Sequence, residues 1–288
     1  MKKFLAVLLF LLGWAFWLGS KVWAGPPLTN AEGVGGCALN PFAYVTNPIK
    51  DNKGLMDTNF IGYPQIGIWK VGLYDNKPVG RIDWLAIGAN ISLFNRIELG
   101  YSHEYVDIEN LKNVGKDNLS VKVNLIKEGD FNMKFLPALS VGAIYKDTNL
   151  DPDKVGADDD SDIDYYIVAT KMFPDLPVPV MLNAGLLFTK GIVRGVLGFG
   201  DDRDTVFFGN IETVILKKFI VGWEYEAKVD TEVDDQDIRT HAMWEAHIAY
   251  MPNEHLMLVV SYAYTGDKDH TGEYAFGNAY VLSFQYSF

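Results

Sequence analysis

The stretch "NAYVLSFQYSF", residues 278–288, alternates large apolar with small or polar side chains without a break. Tyr280, Leu282, Phe284, Tyr286 and Phe288 form one column; Ala279, Val281, Ser283, Gln285 and Ser287 form the other. A period of two belongs to an extended strand with unlike faces. Wherever it recurs the chain is restricted to β-structure, and it recurs widely. "KFIVGWEYEAKVD" sets Phe219, Val221, Trp223, Tyr225 and Ala227 against Gly222, Glu224, Glu226 and Lys228. "HAMWEAHIAY" sets Ala242, Trp244, Ala246, Ile248 and Tyr250 against His241, Met243, Glu245 and His247. "NLSVKVNLI" and "FNMKFLPALSVGAIYK" alternate in the same way. No window of similar length carries a convincing helical period.

About twelve such segments begin near Gln65, Arg81, Arg96, Asn118, Phe131, Asp164, Val178, Thr205, Phe219, Arg239, His255 and Asn278. Alternate connections are short and have turn chemistry: "FNR", "EGD", "PDLP", "KK" and "PNE". The others are mostly longer and polar, among them "DTNLDPDKVGADDDSDI" and "TGDKDHTGEYAF". An even strand count, tight turns at one end and long loops at the other predict an all-β fold. That fold is an antiparallel up-and-down transmembrane β-barrel with short periplasmic turns and longer extracellular loops. A soluble sandwich has no reason to sort its loops in this way.

The aromatic residues fall at two levels. Phe131, Phe173, Phe219, Tyr250 and Phe288 lie beside short turns or the chain end, and Tyr74, Tyr105, Tyr145, Phe188 and Tyr264 toward the long loops. Two rings around an aliphatic band are the interfacial girdles of a membrane barrel. Phe288 is expected to close the last strand beside the first. Phe284, Tyr286 and Phe288 together resemble the C-terminal signal read by the barrel-assembly machinery of Gram-negative bacteria.

The other end of the chain agrees with this destination. Lys2 and Lys3 precede an apolar run from Phe4 to about Leu18, and Val22, Trp23 and Ala24 precede Gly25. That is the order of a secretory signal peptide, and the run is shorter than the roughly 20 residues of a spanning helix. Residues 1–24 are therefore expected to be cleaved. The net charge of −12 becomes about −15 once Lys2, Lys3 and Lys21 are gone, which argues against a nucleic-acid partner. The expected partners are outer-membrane lipid, lipopolysaccharide and the assembly machinery. Cys37, the one cysteine, permits no internal disulfide and no thiolate metal cluster. No cofactor is expected.

Several stretches resemble an uncharacterised family of Gram-negative outer-membrane-type proteins known as a domain of unknown function. They are "LFNRIELGYSHE", "VKVNLI", "FLPALSVGAIYK", "DIDYYIVATKMF", "GVLGFGDDRD" and "VGWEYEAKVD". "GVGGCALNPFAYV" is similar to a Gly-rich family segment, with Cys37 where a Gly is usual. The resemblance covers most of residues 31–288. It implies a barrel at the envelope and no particular activity.

Catalytic constellations are not found. None of His103, His241, His247, His255 and His270 has a Ser two residues on, as a barrel phospholipase requires. In "DKDH", Asp269 adjoins His270, so their side chains would point to opposite faces of a strand. G-x-S-x-G and H-E-x-x-H are absent. "GVLGFGDDRD" lacks the order and helix context of a phosphate-cradling loop and reads as an outer loop. A lesser alternative folds it into the mouth, with Asp201 and Arg203 facing the solute path. The acidic run Asp158, Asp159, Asp160, Asp162 and Asp164 lacks the Gly and Glu of an EF-hand loop and reads as solvated.

The lumen face is the most informative candidate. Parity assigns to it the acidic residues Glu98, Glu104, Glu212, Glu224, Glu226 and Glu245. It also assigns Lys122, Lys134, Lys146, Lys171, Lys228 and Arg239, with His241 and His247. Such a face either pairs its charges inside a filled barrel or lines a hydrated path. Residues 25–63, rich in Gly and Pro, form either a periplasmic extension or a plug, and the barrel spans 64–288. The expected function is a porin-like pore for small polar solutes. The alternative is a non-conducting envelope scaffold that supports export or assembly of surface material.

Overall fold

The computed structural model describes residues 28–49, 53–73, 80–109, 113–151, 157–233, 236–266, 273–274 and 276–288. The expected signal peptide lies outside them, as do Tyr74, Asp269 and His270.

Twelve strands close into an antiparallel barrel. The first six are β1 (Gln65–Leu73), β2 (Ile82–Leu93), β3 (Ile97–Ile108), β4 (Val114–Ile126), β5 (Ala138–Thr148) and β6 (Ser161–Phe173). The rest are β7 (Val180–Gly191), β8 (Phe199–Ile215), β9 (Phe219–Glu226), β10 (Met243–Tyr250), β11 (Leu256–Tyr264) and β12 (Asn278–Ser287). Each strand pairs with its sequence neighbour, and β12 closes on β1 with Ser287 opposite Gln65. Closure leaves no unpaired edge, which a bilayer demands because hydrocarbon cannot hydrogen-bond backbone. Three further short strands, Asp230–Val233, Gln236–Thr240 and Glu273–Tyr274, form a separate sheet at the long-loop end.

The alternation in the sequence becomes inside and outside. Along β3, Glu98, Ser102 and Glu104 are at most 1% exposed, while Leu99, Tyr101 and Tyr105 are 43–54% exposed. Trp223, Ile248, Val260 and Leu282 continue this apolar outer surface around the barrel. So broad an apolar exterior suits lipid and would aggregate in water. Phe219 stacks on Tyr250 at 5.0 Å at the short-turn rim, where Tyr286 also meets Phe288 edge-on at 4.9 Å. Tyr105 and Tyr145 stand exposed toward the other rim.

Besides β4, which begins at Val114 ahead of Asn118, and β6, which begins at Ser161 ahead of Asp164, three boundaries differ from the pattern. β5 begins at Ala138, not Phe131, and residues 127–137 form a connection containing a short 3-10 turn, Asp130–Asn132. Positive φ at Gly129, Phe131 and Asn132 breaks the extended chain, and Asp130 fixes the turn by accepting from Arg96 and the Lys127 N–H. Phe131 and Phe135 keep the alternating look because the interface rewards exposed aromatics there. The second difference is that residues 239–250 are not one strand. Thr240 exchanges hydrogen bonds with Val229, which draws Arg239 into the small outer sheet. The third is that β8 starts at Phe199, ahead of Thr205.

The barrel interior is filled by residues 28–49. Leu28–Thr29 pairs with Gly35–Gly36 in a minimal hairpin, and nearly every residue from 28 to 46 is buried. Gly33 presses its carbonyl against Gly100 of β3, where any Cβ would collide with it. Two glycines thus let plug and wall meet backbone to backbone.

Candidate functional site

An irregular segment inside a barrel carries backbone groups that no strand pairs, and each must find a partner. The inward polar face supplies them. Glu98 accepts from the N–H groups of Gly35 (2.6 Å) and Thr46 (2.8 Å), and Lys122 donates to the Gly35 carbonyl at 2.8 Å. Glu224 accepts from the N–H groups of Leu39 (3.0 Å) and Asn40 (3.1 Å). Trp69 donates to the Thr29 carbonyl at 2.7 Å, and Ser140 to that of Ala43 at 2.6 Å. The polar columns of the sequence therefore serve a protein ligand, the plug.

The charged side chains form a second layer. Glu32 of the plug takes Lys146 at 2.5 Å, Lys116 at 3.5 Å and Arg194 at 2.6 Å. Lys116 also pairs with Glu104 at 3.0 Å, Lys146 with Asp164 at 2.7 Å, and Arg194 with Glu226. All seven groups are buried. Burial opposes ionisation of Glu32, but Arg194, Lys146 and Lys116 outweigh it and hold this carboxyl well below the usual carboxylate range. Arg194 comes from residues 192–198, which fold into the mouth with Ile192, Val196 and Leu197 buried.

A third cluster lies toward the short-turn end. His247 meets Glu245 at 2.5 Å through Nδ1 and Glu212 at 2.8 Å through Nε2. The Cys37 thiol of the plug sits 3.8 Å from Nδ1. Both imidazole nitrogens are thus engaged by carboxylates, which leaves neither free to take a proton from the thiol. Ser261 donates to Glu245, not to His247, so the order of a serine hydrolase is not present here.

Glu98, Glu104, Lys122, Lys146, Glu212, Glu224, Glu226, Glu245 and His247 all point inward and are buried. His241 lines the outer-end cavity described below. Four expected lumen residues lie elsewhere. Lys134 is exposed in the 127–137 connection. Lys171 has outward parity on β6, because Asp164, Tyr166, Val168 and Thr170 take the inner face. Its ammonium holds Glu128 at 2.5 Å near the rim. Lys228 follows the end of β9 and pairs with Asp230 at 2.6 Å in solvent. Arg239 is exposed on the outer sheet.

Asp201 and Arg203 do not face a solute path either. Asp201 is exposed on β8, and Arg203 lies outside the wall, bound to Asp162 at 2.6 Å over the Tyr165 ring. The loop that enters the mouth presents Arg194 in their place. Phe284, Tyr286 and Phe288 point outward. The acidic run is divided: Asp162 holds Arg203, whereas Asp164 is buried inside with Lys146. Lys116 shares inward parity with Asn118 and could have been found by extending its strand, whereas Asp164 is missed because assigning Lys171 to the lumen turns Asp164 outward. Glu32 and Arg194 lie in aperiodic segments and carry no such signal.

Two cavities flank the plug. The larger, about 580 Å³, opens among the short turns and is lined by Gly36, Cys37, Phe42, Met181 and His247. The smaller, about 190 Å³, lies toward the long loops between Trp69, Ile82, Trp84, Val106, Leu197 and Val281. Ala38 and Leu39 line the second cavity while Gly36 and Cys37 line the first, so consecutive residues of the plug border both.

A closed twelve-stranded barrel with an apolar belt, aromatic rims and a polar interior is an outer-membrane β-barrel. The chain belongs to the family described as "Protein of unknown function (DUF3034)", whose model matches residues 26–275. Among solved structures it is similar to the KdgM porin, at 12% identity over 78% of this chain and 99% of that one, with a TM-score of 0.49. The NanC porin gives 10% identity over 77% and 100% of the two chains and a TM-score of 0.49. The COG4313 outer membrane channel from Pseudomonas putida F1 gives 10% over 83% and 99%, with a TM-score of 0.46. No curated protein matches the chain.

Proposed function

We propose that the protein is a gated outer-membrane channel in which residues 28–49 are the closing element. The observation that carries this reading is that consecutive plug residues border both cavities. Gly36 and Cys37 line one and Ala38 and Leu39 the other, so the plug stands between them and its departure would join the two. The plug is held by hydrogen bonds and ion pairs, which water can replace when it leaves, and by apolar contacts of Leu28, Val34, Ala38, Phe42 and Ala43 with the wall. The cavities have mostly apolar walls, because most lumen charges are engaged by one another or by the plug backbone. Compact solutes with apolar surface fit such a passage better than the small polar solutes suggested by the lumen residues in sequence.

In this reading residues 1–24 direct export and are cleaved, and the assembly machinery reads Phe284, Tyr286 and Phe288. Outer-membrane lipid and lipopolysaccharide contact the apolar belt.

The paired interior charges favour a second reading, a non-conducting envelope scaffold. Planar bilayers separate the two. The intact protein should be nearly silent, and a barrel lacking residues 28–49 should conduct in discrete steps. A barrel that folds without residues 28–49 and stays silent removes the channel and leaves the scaffold.

A further inference from the structure

We propose that Cys37, Glu212 and His247 form a site for a single divalent cation of the Zn²⁺ class that ties the plug to the barrel wall. One ligand atom from each lies within 4.8 Å of the others, and all three residues are buried. The Cys37 sulfur is 3.9 Å from His247 Nε2, which is 2.8 Å from Glu212 Oε2. Thiolate, imidazole and carboxylate are the donors such a cation takes, in a tetrahedral set.

Three further observations point to an ion. Glu212 is 6% exposed, yet its Oε1 has no hydrogen-bond partner among the described residues. Glu212, Glu224 and Glu245 converge on this region, and among the described residues no Lys or Arg pairs with any of them. One imidazolium cannot balance three buried carboxylates, and unbalanced buried charge is costly. His247 Nδ1 is already fixed by Glu245 at 2.5 Å, with Ser261 donating to the other Glu245 oxygen. A carboxylate behind a metal-binding histidine sets its tautomer and leaves the far nitrogen for the metal. Here that nitrogen is Nε2, which meets Glu212 at 2.8 Å, while the Cys37 sulfur lies at nearly equal distance from the two ring nitrogens, 3.8 and 3.9 Å.

The local fold keeps room for the site. Gly222 of β9 lies beside Glu212 and His247, and any Cβ there would run into both. The larger cavity reaches the same three residues, so water can fill a fourth position. On binding, the cation replaces the proton between Nε2 and Glu212 and the proton of the thiol, and both protons pass to water. The site stands whether or not the barrel conducts.

The test uses the folded full-length protein in detergent, stripped with EDTA and dialysed, with Zn²⁺ and Co²⁺ as probes. Wild type should retain a single Zn²⁺ per chain, and Co²⁺ should give a near-ultraviolet thiolate-to-metal charge-transfer absorption. Cys37→Ser should abolish that absorption; because Cys37 is on the plug and not in a strand, the barrel should still assemble, as heat-modifiability would report. Glu245→Gln should keep the absorption while weakening Zn²⁺ binding about 10–100-fold. Two results overturn the proposal: folded wild type that retains no Zn²⁺, or Cys37→Ser that retains as much as wild type.

Discussion

Glu32 and Arg194 meet inside the barrel, with Oε2 2.6 Å from the guanidinium Nη2, although neither belongs to a barrel strand. One comes from the plug and the other from the loop folded into the mouth. Their pair ties the plug to the mouth loop, and the same guanidinium holds Glu226 of the wall. Displacing the plug would therefore remove one tie of the mouth loop, while Arg194 keeps Glu226 and its carbonyl keeps Lys116.

This pair should resist acid. The folded pKa of Glu32 is depressed below its unfolded value of about 4.3. Its contribution is thus complete above the unfolded pKa and is lost only as pH falls through the folded one. Hydrogen exchange of residues 28–49, corrected for intrinsic rates, should be equally protected at pH 7 and pH 5. Glu32→Ala should remove that protection at both, since stranding buried cations costs about 3–5 kcal/mol. Protection that fades between pH 7 and 5 in the wild type would contradict the assignment.

Gly100→Val places a side chain where the Gly33 carbonyl rests, yet leaves the strand's outer face and pairing intact. The barrel should fold and the plug should not seat. Cys37 reports on this directly, because burial shields its thiol and pushes its ionisation up. In EDTA, a maleimide should label wild type slowly and Gly100→Val many times faster. Equal rates would mean that the plug does not dock on β3.

Trp223 and Glu224 are adjacent but face lipid and plug respectively. Trp223→Arg should cost about 2–4 kcal/mol of barrel stability near the midplane. Glu224→Arg should spare the barrel and expose the plug, because Leu39 and Asn40 lose their acceptor. Folding into bilayers, scored beside exchange at residues 38–41, distinguishes them. The reverse order would invert the facing of β9.

With residues 28–49 removed, Glu98, Glu104, Asp164, Glu212, Glu224, Glu226 and Glu245 face a lumen containing Lys116, Lys122, Lys146 and Arg194. Cations should carry most of the current. Reversal potentials across a salt gradient should show the preference, and Glu224→Gln with Glu226→Gln should lower it. Anion preference in the parent barrel would refute this charge count.

The strands and their facing were legible because both are local. A residue's side of a strand depends on parity alone, and lipid outside enforces an apolar column that begins again after each turn. Glu98, Lys122 and Glu224 could be placed inward for that reason, before any partner was known. The same rule misplaced Lys134 and Arg239, where alternation runs past the true strand ends, because an interface and a small outer sheet also accept it. What fills the barrel was not legible. Glu32 reaches Lys146 across 114 residues and Arg194 across 162, and no period links residues so far apart in aperiodic segments. Only closure of the sheet brings them together. Once enclosed, the plug's unpaired backbone and the wall's charges have no solvent to satisfy them, and they satisfy one another.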